Sequence, residues 1–367
     1  MFVKFSNGIQ SNRDSWVYNF NLDALAGNVK RFISAYSTEV ERWHSYSQND
    51  LTVDDFVLDD DRKIKWSSSL KSYLVQGRKT QFDLARIRES SYRPFVKQHL
   101  VVDEILIHRL SNWLLIFPDS GSDNLVIWLK VGGDWPMFAL MVDELADQMP
   151  QGGSQCFPLY TYDEDGSNRR DNITDWALAR FRGHYADESL TKLDIFHYVY
   201  GLLHHPGYRE RYADNLRRDL PHIPLAPTFQ PFADAGRQLA ELHLTYESQP
   251  EYPLDFIENR DVPLDWRVEK MRLSKDKTSL RYNDFLALSG IPPEVYGYRL
   301  GNRSALEWIV DQYQVKTDSR SGIVNDPNRA DDPQYIVRLI GQIVTVSLET
   351  VQVVAGLAAE PFLVESA

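Results

Sequence analysis

The feature that most constrains the fold of this chain is a change of hydrophobic period near Asn172. Before it, from about Tyr92, short β-branched and aromatic runs occur at His99 to Val102, Trp113 to Phe117, Leu125 to Val131, Met137 to Val142 and Cys156 to Tyr162. They are separated by Pro118, Gly121, Gly132, Gly133 and Pro136, a pattern that predicts strands joined by turns. After it the spacing becomes helical. Ile195, Phe196, Val199, Leu202 and Leu203 share one face of a predicted helix within 187–203. Asn172 is the expected cap of a helix over Trp176 to Phe181, and further helices are predicted over 207–220 and 234–246.

The last third mixes the two patterns. Val268 to Leu273 and Ser279 to Tyr282 predict a hairpin around Ser274 to Thr278. Helices are expected over 304–313 and 335–357, with a Gly-, Asp- and Pro-rich loop between Thr317 and Pro333. At the other end, Leu22, Leu25, Val29, Phe32, Ile33 and Tyr36 predict an amphipathic helix started by Asn21 or Asp23, and a second helix is expected over 67–74. The expected class is α+β: a mixed twisted β-sheet from the 92–165 and 265–298 segments, a helical subdomain inserted between its strands, and a C-terminal helix. The expected divisions are a helical junction with a basic stripe (1–90), a β-rich first half of a recognition domain (91–165), a helical subdomain (166–255), and a hairpin with helices (256–367).

The 43% hydrophobic content is enough for a buried core and excludes disorder as the main state. The most apolar stretch, Ile336 to Leu357, is broken by Arg338, Gln342, Glu349 and Gln352, so it reads as a buried helix and no membrane partner is expected. The opening MFVKFSNGIQSNRD lacks the apolar core of a signal peptide, and the cytoplasm is the default location. A single cysteine, Cys156, excludes a disulfide framework and a thiolate-rich zinc site.

Charge is uneven. The net charge of −12 argues against a general polyanion binder. Yet from Asp61 to Lys97 ten basic residues face three acidic ones, and from Trp266 to Tyr282 six face two. Basic stripes on an acidic body suit a site-selective nucleic-acid reader. The same runs would also serve as solvated faces.

Catalytic signatures are missing. The sequence contains no G-x-G-x-x-G after a strand, no Walker loop, no G-x-S-x-G and no H-E-x-x-H. Asp59, Asp60, Asp61 and Lys63 contain a D-x-K fragment, but a three-residue match in an acidic loop occurs often by chance and carries little weight. Ile291-Pro292-Pro293-Glu294 lacks the amide and the aromatic that a base-flipping methyltransferase would use. His204 and His205 are adjacent before Pro206, which suits structural or exposed roles better than metal ligation. Cys156 reads as a small buried apolar residue. No enzyme activity, cofactor or metal is expected.

Seven segments together resemble a known family: GIQSNRDSWVYNF (8–20), YRPFVKQHL (92–100), GGSQCFPLYTYDEDG (152–166), DIFHYVYGLLHHPGYRERYADNLRRDLPHIP (194–224), FADAGRQLAELHLTYE (232–247), YRLGNRSALEWIVDQYQV (298–315) and DSRSGIVNDPN (318–328). In that order they are similar to the C-terminal specificity region of the Type ISP restriction–modification enzymes. Those enzymes join a nuclease, a helicase-like ATPase, an adenine methyltransferase and a DNA target-recognition domain in one polypeptide. The nuclease, ATPase and methyltransferase parts lie N-terminal to this region and have no counterpart in the sequence. The resemblance therefore implies the specificity module alone: recognition of double-stranded DNA, with methyltransferase, ATPase and nuclease modules supplied in cis or trans. The competing expectation is a non-catalytic scaffold that docks a partner subunit through the helical middle.

A reader of duplex DNA needs cations for phosphates and forked donors or amides for base edges. The expected contacts are Asn12 and Arg13 in the SNRD loop, Arg93 and Lys97 in YRPFVK, Lys275, Lys277 and Arg281 on the predicted hairpin, Asn302 and Arg303 at a helix start, and Arg320 in the last loop. Arg13 would alternatively pair with Asp14, Arg93 would pack on an aromatic ring, and Arg303 would bridge to Glu307 one turn on. Trp308, Trp176, Tyr198 and Phe196 are expected in the core.

Overall fold

A computed structural model describes residues 1–46, 51–130, 132–133, 135–148 and 153–363. Val131 and Gly152, included in the strand and motif expectations above, lie outside the described residues.

Local signals placed most helices where expected. Helix Leu22–Ser45 begins at Asn21, whose side chain accepts the Ala24 amide at 2.8 Å. Helix Ser68–Val75 is capped by Ser67 and followed by Gly77 at φ 70°. Helix Ala305–Gln312 starts with a reciprocal capping box between Ser304 and Glu307. The hairpin around Ser274 to Thr278 forms from Arg272–Leu273 and Ser279–Arg281.

Three local expectations give way. Asn172 does not cap a helix: it is buried, and its amide donates to the carbonyls of Lys4 and Pro158 at 2.8 and 2.7 Å, while Thr174 caps helix Asp175–Tyr185. Within Trp113 to Phe117, residues Trp113–Leu115 form a 3₁₀ turn, closed by the Ile116 amide on the Trp113 carbonyl at 3.1 Å. The helix expected over 207–220 is two short ones, Pro206–Arg211 and Ala213–Leu216, separated at Tyr212.

The class is α+β, and its strands are divided among several small sheets. One four-stranded sheet orders Ser6–Asn7, Gln155–Pro158, Val126–Lys130 and Phe138–Val142. A second orders Tyr18–Asn19, Val96–Val101, Ile87–Arg93 and Leu145–Ala146, the last pair parallel. A third joins Asp255–Glu258, Leu286–Ser289, Ser279–Arg281 and Arg272–Leu273. The 92–165 and 265–298 segments thus contribute to separate sheets.

Strands Val126–Lys130 and Phe138–Val142 are buried on both faces. Side chains alternate across a strand, so successive residues enter different cores. Trp128, Phe138 and Leu140 join a core with the 22–45, 305–312 and 335–357 helices. Ile127, Leu129, Ala139 and Met141 join a second core formed by the helical middle. In that middle, helices Lys192–His204 and Gln230–Leu244 pack through glycines. A Cβ on Gly236 would stand 1.8 Å from the His197 carbonyl oxygen, and one on Gly201 would stand 2.1 Å from that of Phe232.

By length and composition, helix Tyr335–Leu357 is able to cross a membrane. Here one of its faces, including Ile336, Leu339, Ile340, Ile343 and Val344, is buried in the first core.

Candidate nucleic-acid interface

The loop Ile9 to Asp14 is fixed from beneath by Arg13. Its guanidinium is fully buried. Nε donates to the Lys65 carbonyl at 3.2 Å, Nη2 to Ser67 Oγ at 2.6 Å, and Nη1 to the Leu106 carbonyl. Burial lowers its pKa to about 10. Arg13 therefore anchors the loop internally and does not pair with Asp14, whose carboxylate accepts from Ser11 Oγ and from Tyr92 Oη. Its neighbour Asn12, held at φ 59°, is exposed and lines an adjacent cleft.

The cleft has a volume of about 810 Å³. The loop and strands Tyr18–Asn19, Ile87–Arg93 and Val96–Val101 provide one side, through Asn12, Asp14, Arg93 and Gln98. The 298–325 segment provides the other, through Arg303, Gln312, Gln314, Lys316, Asp318 and Asn325. Polar bonds stitch these sides together. Asn325 accepts the Phe20 amide at 2.9 Å and donates to Gln98 Oε1 at 3.0 Å, and Asn19 donates to the Val324 carbonyl at 3.1 Å. Gly301, at φ 71°, makes the turn before Arg303; a Cβ there would approach the Trp135 ring to 3.2 Å.

Lysine and arginine predominate over carboxylates on this surface. Lys65, Arg93, Arg303 and Lys316 line it, against Asp14 and Asp318. Desolvation lowers the pKa of Lys316; Asp311 opposes that shift, while Arg93 and Arg303 add to it. Five amide side chains, Asn12, Gln98, Gln312, Gln314 and Asn325, lie among the charges. The recess is too small to enclose a duplex.

The other expected contacts are placed unevenly. Arg93 lines the cleft but is buried, bonded to Asp147 at 2.7 Å and set over the Tyr92 ring at 3.8 Å. Lys97 precedes Gln98 on the strand and so faces the other side, between Glu144 at 3.5 Å and Glu247 at 3.3 Å. Burial opposes its charge, yet these carboxylates raise its pKa. Lys277 folds back onto helix Ala305–Gln312, 2.7 Å from Glu307, and Lys275 beside it is exposed. Arg281 is exposed and pairs with Asp284. Asn302 is exposed in the Gly301 turn, and Arg320 projects from the 317–323 loop, 3.8 Å from Asp61. Asn12, Arg93 and Arg303 thus meet at the cleft, while the remaining seven do not line it.

Arg303 bonds to Asp311 at 2.9 Å instead of Glu307. Trp308, Tyr198 and Phe196 are buried as expected, whereas Trp176 is 63% exposed. Sequence reasoning did not single out Lys65, Gln98, Gln312, Gln314, Lys316 or Asn325. Most fall inside the segments that carry the family resemblance, but nothing in their residue types separates them from ordinary surface lysines and amides. Among the described residues, no group of three or more His, Cys, Asp or Glu side chains is placed to hold a metal ion.

Residues 1–339 match the family described as Type ISP C-terminal specificity domain. Among solved structures, a nuclease-deletion mutant of the Type ISP restriction–modification enzyme LlaGI, in complex with a DNA substrate mimic, superposes at TM-score 0.87 with 37% identity. It covers 97% of this chain and 33% of that one. The ATP-dependent Type ISP enzyme LlaBIII bound to DNA superposes at 0.87 with 31% identity, covering 98% and 23%. A DrdV–DNA complex superposes at 0.86 with 33% identity, covering 98% and 36%. The chain therefore spans about a quarter to a third of the length of these relatives. No curated protein matches it.

Proposed function

The chain belongs to the Type ISP C-terminal specificity domain family, and from that premise we propose that it recognises a base sequence in double-stranded DNA. In this reading it acts without catalysis of its own, in the cytoplasm. It positions the methyltransferase, ATPase and nuclease parts of a restriction–modification enzyme, in cis or in trans.

The observation that carries the reading is the cleft. A chain of net charge −12 lines one recess with four cations, two carboxylates and five amides. Phosphate contacts supply affinity and register, and amides and guanidinium groups carry the donor and acceptor patterns that distinguish base pairs. An acidic body limits unselective attraction to other polyanions.

The test is titration of the chain with duplex DNA over a salt series. Log affinity is expected to fall linearly with log salt, with a slope of about −0.9 for each phosphate neutralised. Lys316→Ala is expected to weaken binding evenly across sequences and to reduce the slope by about one. Absence of a complex at low salt, or an affinity indifferent to salt, overturns the proposal.

A further inference from the structure

Helix Ala305–Gln312 ends at the cleft in a set of contacts on a single carboxylate oxygen. Asp311 Oδ2 accepts from Arg303 Nη1 at 2.9 Å and from the Gln312 side-chain amide, and Lys316 Nζ stands 3.9 Å away. Arg303 also lies over the Trp308 ring, 4.8 Å from its centroid. That ring is itself immobilised: it is buried, and its indole N–H donates to the Leu300 carbonyl at 3.0 Å. The guanidinium is thus held at one nitrogen by a carboxylate and lies over a fixed aromatic ring. Its remaining N–H groups have no protein partner among the described residues.

A phosphate contact does not require this arrangement, because a mobile cation follows a phosphate over a wide range of geometries. A forked contact to a guanine edge does require it, because two N–H vectors must be aimed together. Asp311 has a second effect. Beside Arg303 and Lys316 it offsets their pull on any backbone phosphate, which lowers affinity for every sequence alike. Specificity is a difference of affinities, so a group that weakens unselective binding while fixing a selective contact contributes to it twice.

We propose that Asp311 is a positioning residue for base readout, which sets Arg303 against Trp308 to read one base pair, with guanine as its partner. The inference rests on the DNA-recognition reading above and assigns a role within that same site.

The experiment selects binders for the full chain from a pool of randomised duplex oligonucleotides and compares wild type, Asp311→Asn, Asp311→Glu and Arg303→Lys. Melting temperature and affinity for the unselected pool are measured alongside. Wild type is expected to enrich a defined sequence. Asp311→Asn is expected to bind the unselected pool at least as tightly as wild type, up to about threefold tighter. Its preference at one G·C pair should fall about tenfold, within the range a forked contact commands. Arg303→Lys should lose preference at that same pair, and Asp311→Glu should retain part of it. A residue with a merely structural role would instead lower affinity for the unselected pool together with the melting temperature, and that result overturns the proposal. So does an Asp311→Asn selection identical to wild type, or loss at different pairs in the Asp311→Asn and Arg303→Lys variants. If wild type enriches no sequence, the recognition reading itself fails and this inference falls with it. If wild type selects a sequence that all three variants also select, the roles of Arg303 and Asp311 fail while the recognition reading stands.

Discussion

The cores on the two sides of strands Val126–Lys130 and Phe138–Val142 are stabilised by different means. In the helical middle, two helices meet at glycine–carbonyl contacts, and aromatic rings fill the remaining space. At its edge, His243 is uncharged: Tyr200 Oη lies 2.6 Å from Nδ1, Thr350 Oγ1 lies 3.0 Å from Nε2, and burial lowers the pKa well below the ordinary value. On the other side, polar groups penetrate the packing: Arg13 on carbonyls, Arg93 on Asp147, and Asn325 on Gln98. The comparison shows where a reading surface is affordable. One side draws its rigidity chiefly from close packing of helices and rings, with a few buried polar bonds such as Tyr200 to His243. The other builds rigidity from polar bonds and thereby keeps cations and amides at a surface.

Shape-based rigidity has the most severe point of failure. Gly236→Ala would place a methyl group 1.8 Å from the His197 carbonyl oxygen, a backbone atom that moves only if the helices separate. The expected loss is about 3 kcal/mol or more, at the upper end of overpacking costs, measured by urea denaturation. If the variant unfolds in one transition with wild-type slope, the two cores are one cooperative unit. A second transition would separate them.

On the polar side, Arg13→Met removes three hydrogen bonds and leaves the carbonyls of Lys65 and Leu106 without that donor. Buried acceptors left unsatisfied cost about 1–3 kcal/mol each before relaxation, and a total loss of about 3 kcal/mol is expected. The salt slope of DNA binding should stay unchanged, because the guanidinium is inaccessible to phosphate. A fall in slope without loss of stability would restore Arg13 to the interface.

Arg13 also marks the limit of what the sequence discloses. Local signals reach far enough for single elements, so Asn21 announced its helix, apolar spacing marked the one near Ser304, and the Ser274 to Thr278 turn announced its hairpin. The acceptors of Arg13 lie 52 and 93 residues away, and no pattern around SNRD points to them. The division of strands into small sheets has the same cause, since pairing partners are set by non-local packing. Half of the cleft was hidden similarly. Gln98 and Asn325 are brought together across 227 residues. Trp176 shows the reverse error: an aromatic near a helix start was assigned to the core, and the fold leaves it largely exposed.

Acid should affect the helical side first. Burial lowers the pKa of His204 to about 3, and that of His243 lies well below its ordinary value; in each case desolvation is the main cause and Arg209 adds to it. Both rings stay neutral in the folded chain, while in the unfolded chain they gain a proton as pH falls below about 6.5. Their contribution is therefore complete above pH 6.5 and is lost as pH drops from there toward 3. Each group gives a slope of about 1.4 kcal/mol per pH unit once it titrates in the unfolded state. By pH 5.5 the pair should have cost about 3 kcal/mol. His243→Gln is expected to be less stable than wild type at pH 8 and to lose about half of that dependence. An unchanged profile between pH 8 and 5.5 in the variant would show that another group sets the acid sensitivity.

The smallest effects are expected on the hairpin, where the contrast between committed and uncommitted cations is sharpest. Lys277 is tied to Glu307, packs against the Tyr296 ring, and accepts the Tyr296 hydroxyl at its carbonyl at 2.8 Å. Lys275, two residues away, has no ion pair among the described residues. If the hairpin touches the phosphate backbone, the free cation carries the contact. Lys275→Ala should then leave stability within about 0.5 kcal/mol of wild type and reduce the salt slope of duplex binding by about one. Lys277→Ala should do the opposite: it removes the partner of a carboxylate that also caps a helix, so stability falls by about 0.5–1 kcal/mol, in the range of a partly exposed pair, with little change in slope. Equal slopes for both variants and wild type would confine DNA contact to the cleft. A loss of slope in Lys277→Ala alone would mean that Glu307 releases its lysine when DNA binds, and that the docked hairpin is only the unbound arrangement.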